Sequence, residues 1–128
     1  METIRIVILS LSALMLVFVG LMRLSNPIKT YLKNSGIKLE KDASLLNEMR
    51  GVAAVMLCAG IIIALGTFIG KLTFTSHFVA SLIFVGFAIG RLISLKADGK
   101  PSKQISQGII FEIVLGAANV FALINLWS

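Results

Sequence analysis

Charge is scarce in this chain. Of its 128 residues, 14% are Asp, Glu, Lys or Arg, against about 25% in an average soluble domain. There is one cysteine, Cys58. A single cysteine forms no internal disulfide and no C-x-x-C thiol centre, so Cys58 reads as a small packing residue. The one histidine, His77, has no partner at metal-ligand spacing and reads as a polar anchor at an interface. The sequence shows no nucleophile beside a base, no metal-ligand cluster and no phosphate-binding loop. These absences argue against an enzyme and imply no cofactor and no metal. The sequence also shows no internal repeat and no low-complexity segment.

What is abundant is apolar: 57% of residues are hydrophobic. They are concentrated in four long runs, each long enough to cross a bilayer as a helix. The length suits one domain. The expected fold is therefore all-α, a bundle of four transmembrane helices over 4–24, 43–70, 74–95 and 103–127, in a single integral membrane domain over 1–128. The first run, Ile6 to Leu24, exceeds the apolar core of a secretory signal and is followed by no small-residue cleavage site. It is expected to be a retained helix, bracketed by Arg5 and Arg23, whose side chains can snorkel. Its small residues, Ser10, Ser12, Ala13 and Gly20, suggest close packing only.

Between the first two runs, Ser25 or Asn26 can cap a helix opened by Pro27. Ile28, Tyr31 and Leu32 share one side and Lys29 and Lys33 the other, which predicts a short interfacial helix over 27–34. Gly36 closes it in a left-handed conformation. Asp42 caps the second run, whose Gly51, Ala53, Ala54, Ala59, Gly60, Ala64 and Gly66 make it the expected most enclosed helix. Residues 71–76 read as a tight turn. Gly86 and Gly90 form a G-x-x-x-G, read as contact within the bundle in preference to a dimerisation face. Ser102 caps the last run. There, Gly108, Glu112, Gly116 and Asn119 share a face opposite Ile110, Val114, Ala117 and Phe121, and the polar face must point inward because lipid cannot satisfy it. Trp127 is an interfacial anchor.

Four helices place both termini on one side and both long loops on the other. Lys29, Lys33, Lys38, Lys41, Lys96, Lys100 and Lys103 lie on the loop side, while Arg5 and Lys71 lie on the terminal side. The positive-inside rule makes the loop side cytoplasmic and the termini periplasmic. The formal charge of +6 then points to anionic lipid headgroups as partners, not to nucleic acid, for which no binding motif is present.

Glu48, Arg50, Arg91 and Glu112 are the charges expected to meet. All fall in the loop-side half. Side chains lean toward their own helix N-terminus, so Arg91 leans inward and Glu112 outward, and the two converge in depth. Glu48 and Arg50 are two apart and cannot face each other on a helix, so each must look to another helix. The set is neutral, as burial requires. Two readings stay open: an ion-pair network that holds helices in register, and a site for a ligand or proton.

Asn47-Glu48-x-Arg50-Gly51, Gly90-Arg91-x-x-Ser94, Asp98-Gly99-x-Pro101-Ser102 and then Glu112 resemble a family of small bacterial four-helix membrane proteins, catalogued as a domain of unknown function, number forty-three forty-five. The resemblance covers nearly the whole chain. It implies four transmembrane helices, a bacterial source and no established activity. The architecture is also distantly similar to DoxX-type four-helix membrane proteins.

The expected function is that of a non-enzymatic inner-membrane protein whose cluster binds a lipid or other amphiphile, or supports a partner. Arg50 and Arg91 would contact an anionic head, Glu48 and Glu112 would be their counter-charges, and Asn47 and Asn119 would add polar contacts. The alternative is a small-molecule or proton transporter acting as a homo-oligomer, with Glu112 titrating.

Overall fold

The computed structural model describes residues 2–127; Met1 and Ser128, the ends of the expected domain, lie outside the described residues. Five helices follow in order: α1 Glu2–Ser25, α2 Pro27–Ser35, α3 Ala43–Phe68, α4 Thr73–Asp98 and α5 Lys103–Trp127. A single 3-10 turn, Gly70–Leu72, joins α3 to α4, so α4 begins inside the segment expected to be a turn. Four helices are long and apolar enough to cross a membrane, and no strand occurs among the described residues. The chain has the build of a multi-pass membrane protein. Helix α1 packs on α3, α3 on α4 and α4 on α5, while α5 closes the ring against α1.

The helix ends follow local chemistry. The Asn26 side chain accepts from the Lys29 backbone N–H at the start of α2, and Gly36 ends that helix at φ 68°. Asp42 accepts from the Ser44 N–H at the start of α3. The Ser102 hydroxyl accepts from the Ile105 N–H and donates to the Ser35 carbonyl at 2.8 Å. Thr30 donates to the Met22 carbonyl at 3.0 Å. Helix α2 is thereby fastened to the end of α1 and the start of α5, and it roofs the bundle at the loop end.

The centre is filled by Leu9, Leu16, Ile63, Ala80 and Phe84, each no more than 1% exposed. Without a hydrophobic driving force between helices in lipid, backbone proximity has to supply the packing. Helices α1 and α3 achieve it through two glycines. A Cβ on Gly20 would lie 2.8 Å from the Leu57 nitrogen and 2.9 Å from the Ala53 carbonyl oxygen; one on Gly60 would lie 2.9 Å from the Val17 nitrogen. Helix α3 is no more enclosed than α5: a third of each apolar span, 33%, is buried.

Gly86 and Gly90 depart from expectation. A Cβ on either would meet nothing within 4 Å, and the same holds for Gly51 across the gap on α3. Phe84 and Met56 fill the core below, and at the level of Gly51 and Gly86 small residues on both walls leave a groove where a seam was expected.

These two kinds of glycine should respond oppositely to substitution. Gly20→Ala forces atoms against α3 backbone and should destabilise by about 1–3 kcal/mol. Gly90→Ala meets open space and should be neutral or stabilise by about 0.5–1 kcal/mol through reduced chain entropy. Thermal unfolding of the purified protein in detergent checks both; equal behaviour of the two variants would contradict the packing.

Candidate functional site

The site at the loop end begins with an ion pair. Arg91 Nε donates to Glu112 Oε1 at 2.6 Å, and the side chains are 31% and 7% exposed. This joins α4 to α5, and it is the one ion pair among the described residues. The Arg91 guanidinium lies 5.9 Å from the Phe87 ring, while that of Arg23 sits 4.5 Å over the ring of Tyr31. Arg23 Nε is buried with no hydrogen-bond partner.

Both arginines line a cavity of 310 Å³ beneath α2, walled also by Tyr31, Phe87, Gly86 and Gly90. An apolar groove of 500 Å³ runs between α3 and α4, past Asn47, Glu48, Gly51, Val55 and Leu82. Val52, Gly86 and Phe87 line both spaces, so a polar cavity and an apolar groove share one wall.

The expected four-charge cluster is thus divided. Arg91 and Glu112 meet. Asn47 and Glu48 are exposed and line the groove, joining neither member of the pair. Arg50 is turned elsewhere: its Nη1 donates to the Leu24 carbonyl. The reason is local. Helix α1 stops at Ser25, its last carbonyls have no intrahelical donor, and Pro27 brings no N–H. Arg50 on the adjacent helix supplies one.

Asn119 is not part of the loop-end site either. It is fully buried, two turns deeper on α5, and its amide nitrogen donates to the Ser12 hydroxyl at 3.0 Å and to the Leu115 carbonyl at 2.8 Å. Its oxygen must therefore accept, and the partner is His77 Nδ1 at 2.9 Å. Hence Nδ1 carries the proton and Nε2 is left as an acceptor; it is buried without a partner. Ser12 in turn donates to the Ile8 carbonyl at 2.8 Å. His77 is 0% exposed, so it is a core residue and not the interfacial anchor expected. The i, i+4 spacing of His77 with Ser81, also buried, was the signal available for this inward face. Ser12 likewise does more than pack closely.

Among the described residues no group of three or more His, Cys, Asp or Glu could hold a metal. What the arrangement offers is a half-buried guanidinium pair, half neutralised by one carboxylate, beside an apolar trough.

Fold and site together define a small helical membrane protein with a polar pocket at one end. The chain belongs to the family described as Domain of unknown function (DUF4345), which matches residues 4–123. No curated protein matches the chain, and no solved structure does.

The pair yields a double-mutant test. Arg91→Leu strands Glu112, the more buried partner, and Glu112→Leu strands Arg91. Removing one member of a fully buried pair costs about 3–5 kcal/mol; the partial exposure of Arg91 lowers the expectation here to about 1–3 kcal/mol. The double variant should be more stable than Arg91→Leu alone. Strictly additive losses on thermal unfolding would mean that the two charges do not interact.

Proposed function

We propose that this protein is a non-enzymatic, lipid-associated protein that binds an acidic amphiphile at its loop end, with the head against Arg23 and Arg91 and a chain in the groove between α3 and α4. The observation that carries the reading is the shared wall of Val52, Gly86 and Phe87 between the polar cavity and the apolar groove. A half-buried guanidinium favours an oxyanion that can accept from its planar fork. Two guanidiniums beside one carboxylate leave a positive surplus for such a head. The unpartnered Arg23 Nε is a donor awaiting an acceptor. Arg23 thus takes the role that sequence reasoning gave to Arg50.

In this reading the membrane is the bacterial cytoplasmic membrane, the loop end faces the cytoplasm and both termini face the periplasm. The lysines of the two loops support that orientation, since anionic lipids attract them. Nucleic acid has no part in it. A periplasm-active reporter fused to the C-terminus should be active and a cytoplasm-active one silent; the reverse result moves the pocket to the outer leaflet.

The open faces of Gly51, Gly86 and Gly90 favour a second reading, a homo-oligomer that closes the same groove, the setting in which transport would be considered. One variant separates the two. Gly86→Leu adds bulk where nothing lies within 4 Å, so the fold should survive. Under the amphiphile reading, mass spectrometry of gently extracted protein should show an acidic amphiphile reduced tenfold or more in Gly86→Leu and in Arg23→Gln. Unchanged occupancy in both variants sinks that reading, and loss of a cross-linked dimer in its place establishes the oligomer.

A further inference from the structure

A second polar space lies at the opposite, terminal end. It is a cavity of 340 Å³ lined by Arg5 of α1, Gly66 and Thr67 of α3 and Thr73 of α4, with Glu2 at its rim. Two polar atoms of its lining residues, Arg5 Nε and Thr67 Oγ1, are buried and have no hydrogen-bond partner. The guanidinium is nevertheless held in place, because Arg5 Nη2 donates to Asn125 Oδ1 at 2.9 Å. The neighbouring Thr73 hydroxyl is already committed to the Gly66 carbonyl at 3.2 Å. Thr67 and Phe68 also line an apolar groove of 420 Å³ between α1 and α3, floored by Ala13, Val17 and Ala64.

We propose that this is a lipid site of the terminal-side leaflet, and that its occupant is a zwitterionic phospholipid with an ethanolamine head. Two buried donor atoms without acceptors are costly. The oxygens of a phosphodiester supply the missing acceptors, with the Arg5 N–H in a charge-assisted bond. The exposed carboxylate of Glu2 stands at the rim, where an ammonium beyond the phosphate would meet it. A half-buried positive charge with a negative one at the mouth complements a head that carries phosphate first and ammonium outermost. The groove beyond Thr67 receives one acyl chain. The site shares no lining residue with the loop-end cavity, and it stands whether or not that cavity binds an amphiphile.

Native mass spectrometry of the full-length protein, titrated with phosphatidylethanolamine, phosphatidylglycerol or inorganic phosphate, tests this. Wild type should retain one phosphatidylethanolamine that phosphatidylglycerol displaces poorly. Arg5→Gln and the near-isosteric Thr67→Val should each weaken that retention tenfold or more, while Arg23→Gln leaves it unchanged. Ala64→Phe, which fills the groove, should weaken it as well, and Glu2→Gln should erase the preference over phosphatidylglycerol. Should Arg5→Gln fail to fold, Thr67→Val and Ala64→Phe decide alone. Wild-type retention in Thr67→Val and Ala64→Phe overturns the site. Displacement by millimolar phosphate, with Ala64→Phe unaffected, overturns the lipid and leaves a small-oxyanion site.

Discussion

The side-chain amide of Asn119 sets the register of three helices. It reaches Ser12 on α1 and His77 on α4 from its own position on α5, at a depth where neither water nor lipid offers an alternative partner. A one-turn slip of any of these helices would leave several polar groups bare in an apolar interior, at about 1–3 kcal/mol each. Once His77 stands opposite Asn119, the placement of Arg91 follows. The two α4 residues are fourteen positions apart and Glu112 is seven from Asn119, which at about 1.5 Å per residue is roughly 21 Å against roughly 10 Å. The helices run in opposite directions, so a straight projection leaves the charges roughly 10 Å apart along the axis. The lean of each side chain toward its own N-terminus closes that distance. A long side chain at position 91 is what makes the closure reachable.

Helix α3 is fixed by other means. No charged side chain ties it to the centre; it is clamped to α1 through Gly20 and Gly60 and to α4 through the Ser76 hydroxyl, which donates to the Ile62 carbonyl at 2.9 Å. The Ser76 bond lies toward the terminal end of the helix, while Gly20 meets Ala53 and Leu57 in its loop-side half, close to where Arg50 bonds the Leu24 carbonyl of α1. Toward the loop end, α3 leaves α4 behind, and the glycines there border space. The same residue type thus closes one interface and opens another. Which it does depends on whether the partner position offers backbone, as Ala53 and Leu57 do to Gly20, or another small residue, as Gly51 does to Gly86.

Much of this was legible in the residues. Spans, caps and the interfacial helix follow from runs of apolar residues and from single polar residues whose preferences are local: Asn26, Gly36, Asp42 and Ser102. The Arg91–Glu112 pair was legible because depth and lean are computable from helix direction alone. Arg50 was not, since its partner is a carbonyl at the end of α1, and backbone acceptors leave no mark in a sequence. His77 was misjudged for a related reason. Its proximity to a turn suggested an interface, whereas α4 starts at Thr73 and carries His77 one turn into the bundle, where Asn119 waits. The G-x-x-x-G motif states that backbone can approach, not that it does.

Arginines at both ends of α1 share one predicament. Arg5 and Arg23 each have a buried Nε without a partner, and each has another part of its guanidinium occupied, by Asn125 or by the Tyr31 ring. Had they served only as anchors, both heads would extend into the headgroup region, as long basic side chains at helix ends do. Instead each is folded against protein beside a cavity that borders an apolar groove. A head held in place with one donor idle is preorganised, because the side-chain entropy lost on binding is already lost in the unbound protein. That cost is sustained by the surrounding fold, and in the two proposals made above an oxyanion from the adjacent leaflet recovers it.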